Sequence, residues 1–444
     1  MPAFKYLLTV LACCIVLLVA NRVSAQEFLS LDEAIDRALE RNYDVRMARN
    51  TADIAASNQT LGNAGFLPSL QLNAGGNAAV TDTRQTFVGS DPRELDNASS
   101  TSANASAQAQ WVLFDGLSRF TTHDRLGAER RQEEYYADRT EQQVIADVVT
   151  GYYDTVQQRQ QLVVRREALD ISRQRLEIAR SRYDLGSASE LEVRRAEVAV
   201  NTDSAAVMRQ ERTLQSTKEE LGRLLARSEP PSSFTVADTI VVDTTLRADY
   251  LMQSSRRQNP LLEQAREQET IADLTRQEIT AERYPTIRLN TGYTFTNLTS
   301  ESGFMERNRS FEFAYGFTVS YDLFDGLNRR RRINNAEIRM RNARLAIEDV
   351  SNELRTDLRN QYEQYTSSLR LLALERSNLG AARENVEVAL EQFELGTITS
   401  VELRDVQEAL VTAEARIISA QFEAKQAEVE LLRLAGQLPS GLPE

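Results

Sequence analysis

Hydrophobic and polar positions alternate along two stretches of this chain and follow helical spacing almost everywhere else. Phe311, Phe313, Tyr315, Phe317, Val319, Tyr321 and Leu323 interleave with Glu312, Ala314, Gly316, Thr318, Ser320 and Asp322. Ile287, Leu289, Thr291, Tyr293 and Phe295 alternate in the same way just upstream. A period of two with one apolar side predicts a half-buried strand. A weaker version runs from Ala103 to Leu113, where the odd positions are alanines followed by Trp111 and Leu113, and the even ones are Asn, Ser, Gln, Gln and Val. Each stretch predicts a pair of strands joined by a polar loop, near residues 83–97 in the first pair and 297–309 in the second.

Helical spacing fills the rest. Ser30-Leu-Asp-Glu33 reads as a capping box, in which serine and glutamate side chains each satisfy a free amide of the first turn. The helix it opens should run to about residue 64, and Pro68 then forbids continuation. The pattern is helical again from residue 118 to Gly186 and from 327 to Gly396. Beyond Gly396 the positions Leu403, Val406, Leu410, Ala413, Ile417, Ala420, Ala424, Ala427, Leu431 and Leu434 form a heptad seam. An equivalent seam lies before residue 226, interrupted by Asp203, Gln210 and Thr217. At about 1.5 Å per residue, the helix over 118–184 would be a rod of roughly 100 Å. Helices over 31–64 and 188–226, laid end to end, match that rod; 250–281 and 399–436 match the helix over 327–395 in the same way. Rods of this kind have no core of their own and must pack beside other rods.

The whole pattern occurs twice. Leu113-Phe-Asp-Gly-Leu117 returns as residues 323–327, an offset of 210, and Arg182-Tyr-Asp-Leu-Gly186 returns at the same offset as Gln392-Phe-Glu-Leu-Gly396. Upstream, Phe66-Leu-Pro-Ser-Leu matches Arg283-Tyr-Pro-Thr-Ile at an offset of 217, so the first copy holds seven more residues between its proline and its corner. A period this long marks a duplicated domain half rather than a solenoid unit. The expected organisation is a leader over 1–25, a first repeat over 26–229, a linker over 230–245 containing Pro230-Pro231, a second repeat over 246–437 and a tail over 438–444. The duplicated pentapeptide reads as a strand-to-helix corner. Phe114 and Phe324 end the apolar strands, Asp115 and Asp325 can cap helix amides, and Gly116 and Gly326 permit the tight turn.

Composition narrows the setting. Lys5 precedes an apolar run to Ala20, and Val23-Ser-Ala25 supplies small residues for cleavage, which is the form of a secretory signal. A lipoprotein reading through Leu11-Ala-Cys-Cys14 remains open. Cys13 and Cys14 are the only cysteines, so the exported chain would be held by packing or assembly rather than by disulfides. The net charge of −13 becomes −15 once the two cationic residues of the leader are removed, which argues against nucleic-acid binding. Arginine outnumbers lysine 49 to three, read here as compositional bias. The single histidine, His123, lies early in a long helix, and the carboxylates follow no metal-ligand or nucleophile pattern, so neither an enzyme nor a cofactor is expected.

Strand count sets the assembly. Lipid tolerates strands only in a closed barrel, and the smallest such barrels use about eight. Two chains of four strands would enclose only side chains, whereas three would reach about twelve strands and leave room for a channel.

In the order and spacing of Leu31-Asp-Glu-Ala-Ile35, the strand entries at Pro68 and Pro285, the two corners, the two glycine tips and the duplication itself, the chain resembles the TolC-type outer-membrane efflux family across nearly its whole exported length. The resemblance implies a mainly α fold with a membrane β part: a homotrimeric twelve-stranded β-barrel, four strands per chain, continuous with a long α-helical coiled-coil barrel. It also implies an outer-membrane channel reaching through the periplasm, lodged in outer-membrane lipid. The channel would dock to a periplasmic adaptor and, through it, to an inner-membrane pump of RND or ABC type. Adaptor docking would fall on the tips, Leu185, Gly186, Ser187 and Ser189 in one copy and Leu395, Gly396, Thr397 and Thr399 in the other. Glu402 and Asp405 fall where the family has acidic residues ringing the aperture, and Glu192 can stand for the acidic partner near the first tip. Phe393 and Ile398 depart from the tyrosine and arginine some members carry there, so the familiar interlock cannot form. Two other readings are a trimeric surface adhesin and a periplasmic coiled-coil scaffold. Adhesins, however, supply their strands contiguously at the chain end, whereas here long helices separate the two pairs.

Overall fold

The computed structural model describes residues 27–86, 88–89, 91–227, 234–302, 305–395 and 397–438. The proposed leader, Pro230-Pro231 of the linker and the tail from 439 onward lie outside the described residues. In chain order the elements are β1 (Glu27–Phe28), α1 (Leu31–Arg41), α2 (Tyr43–Asn58), β2 (Ser69–Gln85), β3 (Arg93–Phe114), α3 (Ser118–Asp184) and α4 (Glu190–Leu224). They continue with β4 (Phe234–Thr235), α5 (Ala248–Gln258), α6 (Pro260–Ala281), β5 (Thr286–Ser300), β6 (Arg307–Ser320), α7 (Asn328–Glu394) and α8 (Ser400–Ala435). Two compact units result. The first takes the chain up to Arg49, Tyr136–Leu261 and everything from Ser351; the second takes Asn50–Tyr135 and Leu262–Val350. Each unit draws on both sequence repeats.

Periodicity locates the long helices closely, but the short ones are interrupted. The helix expected over 31–64 stops at Asn42 and ends at Asn58, and the one expected over 250–281 breaks at Asn259. Both asparagines leave the helical region, with ψ of 134° and 117°. Each restarts a helix by accepting an amide: Asn42 Oδ1 from Asp44 N at 2.8 Å, Asn259 Oδ1 from Leu261 N at 3.0 Å. Each also donates its side-chain amide to the last turn of a distant helix, Asn42 to the Leu224 carbonyl and Asn259 to the Leu434 carbonyl, at 2.9 and 3.0 Å. A buried helix end leaves orphan carbonyls, and these clasps satisfy them. At the start of α1, Ser30 Oγ accepts the Glu33 amide as expected, but the Glu33 carboxylate turns to Arg37 instead of closing the box.

In the first unit the seam of α8 is buried or half-buried along its length, and near its end burial spreads around the helix to Lys425, Glu428, Val429, Leu432 and Ala435. Two segments cover it: α5, which packs on α8, and the stretch following β4, which runs as a strap over the helices. β4 pairs in parallel with β1. Tyr152 Oη donates to the Leu29 carbonyl and accepts from Ala237 N, both at 3.0 Å, so one hydroxyl ties α3 to the start of the chain and to the strap. Tyr365 Oη donates to the Asp243 carbonyl at 2.5 Å, and the Glu428 carboxylate accepts from Asp243 N at 2.9 Å. Both lysines of the described chain are buried here. Lys218 donates to the Phe234 carbonyl, and Lys425 donates to Glu428, both at 2.7 Å.

The second unit is built on one antiparallel sheet in the order β2-β3-β5-β6. Its strands run further than hydrophobic alternation suggested. Past a bulge at Thr81/Thr83, Thr83–Gln85 still pair with Leu95–Arg93, so the ladder extends into the interval assigned to a loop. Backbone hydrogen bonds do not require apolar side chains, so the polar tip of a hairpin can stay paired. β6 stops at Ser320, leaving Tyr321 and Leu323 beyond the strand.

Candidate functional site

The register of the sheet aligns its apolar positions on one face. Leu70, Ala109, Thr291 and Tyr315 form one row across the strands; Leu72, Ala107, Tyr293 and Phe313 form the next; Ala74, Ala105, Phe295 and Phe311 the third. Among the described residues nothing covers that face: Leu72 and Tyr315 are each 77% exposed and Phe317 68%. The opposite face carries Gln71, Asn73, Gln108, Gln110, Asn290, Thr294 and Glu312. The outer edges of β2 and β6 pair with no other described strand. Unpaired edges can pair with a further strand, and a large bare apolar face marks a surface made for contact with a partner or a membrane. Among the described residues no helix is long and apolar enough to cross a membrane.

Both strand-to-helix corners have the same geometry. Asp115 and Asp325 accept the amides of Arg119 and Arg329, at 3.1 and 2.7 Å, which caps α3 and α7. Gly116 and Gly326 take φ of +70° and +67°, and the leucines that follow, Leu117 and Leu327, are also left-handed at 71° and 66°. Phe114 is the last residue of β3, whereas Phe324 lies beyond the end of β6 and is 80% exposed. The His123 and Phe66 rings are nearly perpendicular, with centroids 6.5 Å apart.

At the other end of α3 and α7 the two tips close with the same pair of bonds. Ser187 N and Oγ both donate to the Arg182 carbonyl, and Thr397 N and Oγ1 both donate to the Gln392 carbonyl. The i→i−5 bond with Gly186 at φ +76° is a Schellman ending, which absorbs the orphan carbonyls of a terminated helix. Gly396 lies outside the described residues. Leu185 and Leu395 project from the tips, 83% and 79% exposed. Ser189 and Thr399 then cap α4 and α8 by accepting the Glu192 and Glu402 amides. Glu402 closes a full capping box by accepting Thr399 N at 2.7 Å, and that bond holds its carboxyl below the usual range. Glu402 and Asp405 are both exposed, whereas Ile398 is half-buried.

Of the residues singled out in the sequence, Ser189, Glu192 and Phe393 come together. They share a cavity of about 300 Å³ with Arg182, the first residue of the duplicated tip motif, and with three cations that sequence patterns had not marked: Arg175, Arg195 and Arg404. The Arg182 guanidinium lies 5.1 Å from the centroid of Phe393, so that ring serves as a cation platform. Arg175 donates to the Ser400 carbonyl at 3.2 Å; burial first, and then the charge of Arg404, lowers its pKa. Glu402 and Asp405 do not line this cavity. The helical end is thus acidic at its exposed rim and basic in its recess. The available signal was the seven-residue spacing of Arg175 and Arg182, which puts both on one stripe of α3. It was hidden in a chain where arginine is everywhere.

Residues 34–227 and 251–437 match the family model of the outer membrane efflux protein. Outer membrane protein TolC of Vibrio cholerae serotype O1 is 22% identical over 416 residues, covering 92% of this chain and 91% of that protein. Among solved structures, the outer membrane protein VceC from Vibrio cholerae superposes with a TM-score of 0.72 at 14% identity, over 91% of this chain and 96% of the other. CusC superposes with a TM-score of 0.73 at 17% identity, over 91% and 92%.

Proposed function

Because the chain belongs to the outer membrane efflux protein family, a family of outer-membrane channels working with adaptor and pump partners, we propose that three copies close the barrel and form a passive exit duct. The observation that carries this reading is the open four-stranded sheet, with both edges unpaired and its apolar face bare. Three such sheets give about twelve strands, enough for a lumen, with the amide-rich faces turned inward. A closed ring removes the edges, and lipid covers the aromatic face. A periplasmic scaffold gives this face no such role, and a trimeric adhesin, which would close a barrel of the same size, supplies its strands contiguously, whereas long helices separate the two pairs here. Light scattering of the detergent-solubilised mature protein should give the mass of three chains; a monodisperse monomer or dimer would sink the assembly.

The adaptor docks at the tips, where Leu185 and Leu395 project and the arginine-lined recess favours acidic side chains. A pump of RND or ABC type lies beyond it. Glu402 and Asp405 ring the aperture and confer cation preference, with Glu192 set back beside the arginines. Because Glu402 also caps α8, alanine would remove a structural acceptor together with the charge. Glu402→Gln with Asp405→Asn removes the charge while keeping an acceptor at each position. That double variant should lower the cation-to-anion permeability ratio several-fold, read as a shifted reversal potential in planar bilayers under a salt gradient. An unchanged reversal potential would exclude the ring. The capping box has its own pH sign. With the Glu402 pKa lowered in the folded state, its stabilisation is present above the unfolded value and is lost as pH falls through the folded one.

A further inference from the structure

The bare apolar stripe of β6 ends in two arginines on its own face. Arg309 and Arg307 continue the odd-numbered positions from Phe311, opposite Asn297 and Thr299 of β5. The Arg309 guanidinium lies 5.5 Å from the centroids of both Phe295 and Phe311, rings that are themselves 5.0 Å apart. Among the described residues no carboxylate forms an ion pair with either arginine. Glu301, in the turn that follows β5, is engaged by the Ser99 amide. Arg309 is therefore a cation seated on an aromatic platform, and among the described residues none takes up its N–H edges.

Its height on the sheet says what it meets. The ten residue steps from Arg309 to Val319 span about 33 Å along a strand, or about 25 Å along the membrane normal at the usual tilt, which is the height of the apolar band of an outer-membrane barrel. With the aromatic stripe in hydrocarbon, Arg309 reaches the headgroup layer, and Arg307 lies two residues further out. A guanidinium in that layer matches the oxygens of a phosphate with paired N–H donors, and the rings beneath it hold the fork in place. We propose that Arg309 and Arg307 form a binding site for the phosphate of an acidic membrane lipid, one per chain, its acyl chains lying along the Phe311–Val319 stripe. This inference rests on the reading of the sheet as part of a membrane barrel.

The test uses the purified full-length protein in a neutral detergent, titrated with short-chain phosphatidic acid and followed by native mass spectrometry. A neutral glycolipid with the same tails and inorganic phosphate serve as controls. Phosphatidic acid should bind the wild type in preference to the glycolipid. The double variant Arg307→Gln/Arg309→Gln should bind it about tenfold more weakly or worse, while Arg309→Lys, which keeps the charge but loses the planar fork, should fall between. Equal affinity in wild type and double variant overturns the site. Competition by inorganic phosphate at the lipid's own concentration overturns the lipid as its occupant. Membrane fractionation of both proteins separates the two levels of the argument. Insertion with unchanged lipid affinity sinks the headgroup site alone, whereas a wild type that does not insert removes the barrel reading and this site with it.

Discussion

Lys425→Met should destabilise the folded chain by about 3–5 kcal/mol, the usual cost of leaving one member of a buried ion pair without its partner. The pair is Lys425 with Glu428, 2.7 Å apart and with side chains 1% and 0% exposed. Its surroundings explain how it is tolerated. The Lys425 ammonium lies 5.1 Å from the centroid of Tyr153, whose own hydroxyl is pushed up to about 12 by burial and so remains neutral. The second carboxylate oxygen of Glu428 accepts the amide of Asp243 in the strap. Burial pushes the Glu428 carboxyl above its ordinary range, and Lys425, then the Asp243 amide, oppose that push. Methionine fills the volume of the lysine but strands the carboxylate. The double variant Lys425→Met/Glu428→Leu should recover most of the loss, falling short by about 1–3 kcal/mol for the unpaired Asp243 amide. Thermal or denaturant unfolding followed by circular dichroism measures both. A single variant as stable as wild type would show that the pair is hydrated.

The same pair predicts a pH effect. A carboxyl whose folded pKa is raised contributes stability that is complete below the unfolded value, and that contribution disappears as pH rises through the folded one. The wild type should therefore lose stability as pH rises from about 4.3 to the raised value of Glu428, and Glu428→Gln should flatten that slope.

Gly116→Ala should be the most damaging single-methyl addition at the corners, and Gly326→Ala a mild one. The two glycines have nearly the same left-handed backbone, so the conformational cost of about 1–2 kcal/mol is common to both. Space separates them. A Cβ on Gly116 would lie 2.4 Å from the Ala281 carbonyl oxygen and 3.0 Å from Tyr284 Cβ, whereas on Gly326 its nearest neighbour is the Asn328 side-chain amide at 3.6 Å. Ala281 ends α6, and its backbone cannot move aside as a flexible side chain would. Overpacking adds about 1–3 kcal/mol at Gly116. The measurement is the amount of each variant recovered in the membrane fraction, together with its unfolding midpoint. Equal behaviour of the two variants would mean that the first corner relaxes at no cost.

The duplicated corners also show how far local pattern reaches. Turn, cap and helix within a few residues of Asp115 and Asp325 follow from glycine and a carboxylate, because each is set by backbone geometry over one or two turns; alternation carries the strand into the first corner but overruns the second, where β6 ends at Ser320. α3 and α7 are located for the same reason: helical spacing over 67 residues leaves no competing period. The aromatic face of β5 and β6 is equally a local property, since side chains of one strand alternate whatever the strand packs against.

Folding in three dimensions settled the features whose partners lie far along the chain. Asn42 and Asn259 look like ordinary helix residues until their side-chain amides meet carbonyls 182 and 175 residues away. Lys425 and Glu428 read as a solvated i,i+3 pair, and they are buried because the strap crosses them, with Asp243 185 residues from Glu428. The arginine-lined recess likewise exists only where α3, α4 and α8 converge, and nothing in the spacing of any one helix says which of its charges will face another helix. Periodicity fixes which face of an element is apolar. Only packing decides what that face, and the charges beside it, will meet.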